Sequence, residues 1–183
     1  MSKRLIKDFE NISVTGRIAY GIMCAEEYLI YKYPDKDWLI VFKDFWEITN
    51  LELWDEWIDK TVEIIPEYLF EFNDYKSSCF EYLTESKYNE LKKVYNNTND
   101  DANIILKMVY ELTNSHVYSS ISGNGRESIC HLEKIINFLK NEEINLPDIK
   151  KIQRHLFSER NGWGNTFDGT SLSKVVPPNE SFS

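Results

Sequence analysis

Apolar residues recur at spacings of three and four from Ile18 to Leu156, and strict alternation of apolar and polar residues is nearly absent. That period lays one apolar stripe along each of a series of helices, whereas a half-buried strand needs a period of two. The expected fold is therefore all-α, a single-domain multi-helix array. Leu5, Ile6 and Phe9 suggest a first short helix. Ile18, Ile22, Ala25, Leu29 and Tyr33 trace a helix over 17–33, which Pro34 stops because proline disfavours the helical region for the residue before it. A helix over 35–46 carries Trp38, Val41, Phe42 and Phe45. Asn50 is placed as the N-cap of the next, which runs toward Ile65 until Pro66 ends or kinks it.

Thr84 caps a helix to about Tyr95, and Asp100 opens one with Ile104, Ile105, Met108, Val109 and Leu112 on its apolar face. Ser122-Gly123-Asn124-Gly125 breaks the chain before a long amphipathic helix of Ile129, Leu132, Ile135, Ile136 and Leu139. This glycine turn lacks the Walker Lys-Ser/Thr and the third glycine of a dinucleotide loop, so it reads as a helix-to-helix turn. Pro147 suits the first turn of a last short helix containing Ile149, Ile152 and Leu156. Tyr68-Leu69-Phe70-Glu71-Phe72 fits either a helical turn or a strand, so at most one short β-hairpin is expected, near 68–80. Residues 1–176 are expected to form one helical domain and 177–183 a flexible C-terminal tail.

With 42% hydrophobic and 14% aromatic residues, the chain has enough apolar surface to close a core without a metal or disulfide staple. Its three cysteines, Cys24, Cys79 and Cys130, are isolated and are expected to be buried thiols. His116, His131 and His155 have no zinc-ligand spacing; no metal, no cofactor and no catalytic residue is assigned. Asp8 and Glu10 interrupt any early apolar stretch, and no run reaches the ~18 residues of a membrane span, so a cytoplasmic protein without membrane contact is expected.

A net charge of −9 argues against direct nucleic-acid binding through a broad basic surface. Between Asp44 and Asp74 stand ten acids and one base, Lys60, so this segment carries 1 − 10 = −9 and the rest of the chain is neutral. On a helix, Glu52, Asp55, Glu56, Asp59 and Glu63 fall beside the apolar stripe of Leu51, Trp54, Ile58, Val62 and Ile65, with Trp57 on its other flank. Like charges at i,i+4 oppose a helix by a few tenths of a kcal/mol each, so a stripe without Lys or Arg suits a field that attracts a basic partner. A solvated helix face is the competing reading. A second candidate surface is the loop over 158–169, with Arg160, Trp163 and Asp168. Its aromatics can wall a pocket or plug back on the helices; a plug is expected, because Trp163 and Phe167 exposed together make a costly patch. Arg160 and Asp168 are placed to pair across it.

Gly16-Arg-Ile-Ala-Tyr-Gly-Ile-Met23 and Asn161-Gly-Trp-Gly-Asn165, together with size, acidity and richness in Trp and Tyr, give the chain its resemblance to known proteins. It resembles the small acidic immunity proteins that bacteria encode beside polymorphic or contact-dependent toxins. The resemblance implies tight, neutralising binding to one cognate toxin, often a nuclease with a basic cleft. It supplies no contact residues, because such interfaces differ from pair to pair. The alternatives are a helical enzyme or small-molecule binder with a pocket assembled from distant residues such as Tyr20, His116, Arg126 and Trp163, and a scaffold subunit of a larger assembly.

Overall fold

The structure, a computed structural model, describes residues 3–51, 54–118 and 120–178. Among them eight α-helices follow one another: α1 (Lys3–Asp8), α2 (Val14–Lys32), α3 (Leu39–Glu47), α4 (Asp55–Val62), α5 (Pro66–Leu69), α6 (Glu85–Tyr95), α7 (Asp101–Asn114) and α8 (Arg126–Asn141). No β-strand forms among the described residues; Ile12 and Leu156 make one isolated antiparallel bridge. The fold is all-α.

The axis of the molecule is α2, which packs on α7, α8 and α3. Every residue from Val14 to Glu26 is buried, as befits a helix surrounded by others. Its N-cap is Ser13, whose side chain accepts from Gly16 N, and it ends before Pro34 as expected. Gly21 lets α7 approach: a Cβ there would lie 2.7 Å from Leu112 Cδ2. This close packing offsets the ~1 kcal/mol that glycine costs inside a helix.

Two charged residues of α2 are buried and tie distant segments to it. The Arg17 guanidinium donates to the carbonyls of Phe9 (3.1 Å), Asn124 (2.8 Å), Gly125 (2.8 Å) and Glu10 (3.4 Å) and to Ser128 Oγ (2.9 Å). It also lies over the Phe157 ring, 4.9 Å from its centroid. The Glu26 carboxylate accepts from Trp46 Nε1 (2.7 Å), Lys174 N (2.8 Å) and the Ser173 hydroxyl, clasping the C-terminal segment to the core. Burial raises its pKa.

Several boundaries differ from the sequence expectation. Trp38, buried with its indole N–H on Tyr33 O (3.1 Å), delays α3 to Leu39, and Asp37 Oδ1 accepts from Leu39 N. Asn50 does not cap a helix. It closes a 3₁₀ turn, Ile48–Asn50, that follows α3 directly, Leu51 is extended, and α4 starts only at Asp55. Trp57, on the other flank of the stripe, is buried beside α3 and donates to Asp44 O (2.7 Å). Pro66 neither ends nor kinks α4; it holds Ile65 extended and opens α5 from its first position.

No hairpin forms over 68–80. A 3₁₀ turn at Tyr75–Ser77, closed by a reciprocal cap between Asp74 and Ser77, occupies its centre, and Phe72, Tyr75 and Phe80 pack ring against ring. The α6, α7 and α8 helices appear where the periodicity places them. The last helix, after Pro147, is reduced to a 3₁₀ turn at Ile149–Lys151; Ile152 is buried, but Leu156 is exposed and pairs with Ile12. In the expected tail, Pro177 and Pro178 are exposed, and 179–183 lie outside the described residues.

Candidate functional site

The fold sorts the acids of 44–74 into those it uses and those it leaves in water. Asp44 is buried and pairs with Lys87 and with Lys60 (3.3 Å), and Lys60 also reaches Glu47 (2.7 Å). The one base of the segment therefore neutralises structural acids. Lys107 pairs with Glu67 (2.6 Å) and holds its carboxyl below the ordinary value. Glu63, expected in the free stripe, is instead an anchor: its two oxygens accept from the backbone N–H groups of Glu81 (2.6 Å), Tyr82 (3.0 Å) and Leu83 (2.7 Å). Three successive amides converging on one carboxylate fix the chain before α6 against α4.

Of the remaining stripe, Glu52 lies outside the described residues. Asp55, Glu56 and Asp59 are exposed on α4, and none forms an ion pair among the described residues. Tyr82, 40% exposed, stands among them: partial burial and the carboxylates of Asp59, Glu56, Glu81 and Glu63 raise its pKa. Burial raises the pKa of Tyr110 on α7, with smaller contributions from Tyr68, Asp59 and Tyr118. Tyr118 is 75% exposed. The face is thus acidic, bordered by tyrosines, and carried on a helix whose other side is packed.

The loop over 158–169 is pinned at both ends. Thr15 N donates to Trp163 O (3.1 Å), and Phe167 N donates to Thr49 O (2.9 Å). Gly164 (φ +84) lies so close to α2 that a Cβ would stand 2.3 Å from Ser13 Oγ. Trp163 packs edge to face on Trp54, centroids 4.2 Å apart, and Phe167 stacks on His155 at 3.7 Å. The expected plug forms, and it is also a wall. Between it and α4 remains a cavity of about 550 Å³, with Leu51, Trp54, Val117 and Trp163 as apolar lining and Thr15, Asp55 and Arg160 among its polar lining. Arg160 and Asn161 hold left-handed conformations (φ 43 and 55) at its edge, which cost non-glycine residues about 1 kcal/mol or more each. Asp168 does not line it. Its Oδ1 is turned to Thr170 N (3.0 Å) and Thr170 Oγ1 (2.6 Å), capping the turn Gly169–Leu172 instead of pairing with Arg160.

No family model, curated protein or solved structure matches this chain.

The site therefore has to be read from its own chemistry. The two candidate surfaces meet: Asp55 from the acidic stripe lines the same cavity as Arg160 and Trp163. Tyr20, His116, Arg126 and Trp163 do not gather in one pocket. Tyr20 is buried against Phe9 and donates to Pro147 O (2.8 Å), and Arg126 is exposed at the start of α8. Only His116 and Trp163 come together, 6.2 Å apart. The buried His116 accepts from Ser128 N at Nε2 (3.3 Å), while its Nδ1 has no partner among the described residues.

Burial lowers the pKa of His116, His131 and His155 alike. Among the described residues no group of three or more His, Cys, Asp or Glu is arranged to hold a metal ion. Cys24 is buried, but Cys79 and Cys130 are exposed, because one lies in the irregular segment before α6 and the other on the outer side of α8. No helix among the described residues is long and apolar enough to cross a membrane.

Thr15, Leu51 and Val117 were not foreseen as site residues, since each belongs to a helix end or turn brought to the cavity from a different part of the chain. Tyr82 had a signal, its position within Phe80-Glu81-Tyr82, but no periodicity to place it beside α4.

Proposed function

We propose that this chain is a protein-binding module that captures a partner with a basic surface, acting as an immunity protein that neutralises a cognate bacterial toxin in the cytoplasm. The observation that carries the reading is the exposure of Asp55, Glu56 and Asp59 on one helix with no ion pair among the described residues, while other acids of the same segment are engaged by the fold. An uncompensated acidic face accelerates encounter with a basic surface and rejects acidic ones. A toxin nuclease has such a basic cleft, since it must neutralise phosphates. Tyr82 and Tyr118 add exposed aromatic contacts of the kind that anchor interfaces at low entropic cost.

The test is the triple variant Asp55→Asn, Glu56→Gln, Asp59→Asn against the cognate toxin that this reading requires. Stability falls modestly. Asp55 and Glu56 sit in the first turn of α4, where loss of charge forfeits about 0.3–1 kcal/mol each with the helix dipole, and relief of repulsion with Asp59 offsets a few tenths. Association slows about tenfold or more, and its salt dependence flattens, because steering acts on encounter and is screened beyond ~8 Å at physiological ionic strength. Unchanged association rate and salt slope return the face to the role of a solvated helix surface.

A further inference from the structure

We propose that the cavity beside Asp55 is an anchor pocket, taking one bulky aromatic or long aliphatic side chain presented by a basic segment of a protein partner that lies along the acidic face. The proposal rests on the protein-binding reading above and names the chemistry of the segment that reading leaves open. At about 550 Å³ the cavity falls within the roughly 300–1,000 Å³ range of ligand pockets and has room for one large side chain. Trp54, Trp163, Leu51 and Val117 supply apolar walls, which favour an occupant able to exclude water from them.

Charge decides what carries that side chain. Asp55 stands in the lining, and Glu56 and Asp59 follow it on α4, so a chain leaving the cavity along α4 meets three exposed carboxylates. A segment with Lys or Arg beside its apolar residue gains at each; an acidic one is repelled. An apolar anchor inside a desolvated pocket with charges at the rim is the usual division of labour in tight interfaces. The walls are held in advance: Trp54 Nε1 donates to Leu51 O (2.9 Å), Trp163 O accepts from Thr15 N (3.1 Å), and Trp163 packs edge to face on Trp54. Little side-chain ordering remains to oppose binding.

Blocked pentapeptides of the form Lys-Lys-Xaa-Lys-Lys, with Trp, Leu or Ala in the centre, are titrated at low ionic strength into the ¹⁵N-labelled protein, and the indole N–H signals of Trp54 and Trp163 are followed. The Trp and Leu peptides shift both indoles saturably and bind about tenfold or more tightly than the Ala peptide, as burial of one large apolar side chain requires. Val117→Trp, which fills the cavity from its own wall, abolishes that preference while leaving the weak binding of the Ala peptide. Thr166→Trp, from a polar position of the same lining, gives a second filling variant with the same expected readout should the first fail to fold. Equal affinities for the Trp and Ala peptides, or a preference that survives in a folded filling variant, overturn the anchor pocket and leave the acidic face intact. Absence of salt-sensitive binding by every peptide overturns the pocket and the acidic-face reading together.

Discussion

Replacing Arg17 by Met removes the donor that joins three parts of the chain while keeping a side chain of similar length against Phe157. The guanidinium is fully buried and makes five hydrogen bonds to the 3₁₀ turn after α1 and to the start of α8. Burial lowers its pKa to about 10, so it is charged at neutral pH. A hydrogen bond to a charged group contributes about 1.5–3 kcal/mol net, which five times over would give an implausible total. Two facts reduce it. Phe9 O retains Ile12 N, and Gly125 O retains Ile129 N and Ser128 Oγ, so only the part-buried carbonyls of Glu10 and Asn124 lose much. Removing the charge also returns the several kcal/mol spent on desolvating it. The balance is a loss of about 2–4 kcal/mol, or a fall in Tm of roughly 4–16 °C for a chain of this size. Urea denaturation at pH 7, followed by Trp fluorescence, reads it as a lower midpoint at constant slope. A loss below about 1 kcal/mol would refute the reasoning, because the cost of burying the charge would then equal the bonds it makes.

Replacing Glu63 by Ala frees the amides of Glu81, Tyr82 and Leu83; the carboxylate is part exposed, so the expected loss is at the low end, about 1–2 kcal/mol. Hydrogen exchange shows whether those three amides lose protection first, ahead of α7 and α8. Acidification destabilises the fold through its histidines: each has a folded pKa below 6.5, so the unfolded chain takes up protons first, and stability present above pH 6.5 is lost as the pH falls through it. Glu26 has the opposite sign, its raised folded pKa giving stability that is present below pH 4.5 and lost as the pH rises through the folded value. The urea midpoint should therefore fall between pH 7 and pH 5, and Glu26→Gln should remove the opposing contribution of the Glu26 carboxyl.

The helices were legible wherever an apolar stripe coincided with a cap or a breaker. Thr84 and the Gly125 turn bound α6 and α8, and Pro34 limits α2, whose start at the Ser13 cap lies ahead of the start that the stripe places at Arg17. The stripe of 51–65 misled at its start because Trp54 and Leu51 are apolar at helical spacing yet serve the cavity, which needs Leu51 extended. Leu156 misled likewise: its apolar spacing continues from Ile149 and Ile152, but its partner is the backbone of Ile12, far away in sequence. The acidic stripe was legible as charge and only partly as surface. Periodicity places Glu63 on the same side as Glu56 and Asp59, but the three amides it accepts from lie 18–20 residues further on. Asp44 shows the same limit, its two lysines lying 16 and 43 positions away, 60 − 44 and 87 − 44.

What separates the acids of 44–74 is therefore the distance in sequence to whatever satisfies them. Asp44, Glu63 and Glu67 take partners from other elements, so losing any of them exposes an uncompensated group elsewhere in the fold. Asp55 and Glu56 have a local use at the α4 N-terminus, where the helix dipole favours them in addition to their exposure. Asp59 has none: it stands beyond the first turn, three and four residues after Glu56 and Asp55, where repulsion opposes the helix. An exposed acid that weakens its own helix, beside a tyrosine and one turn from the mouth of an aromatic cavity, is better accounted for by something it binds than by anything it holds together.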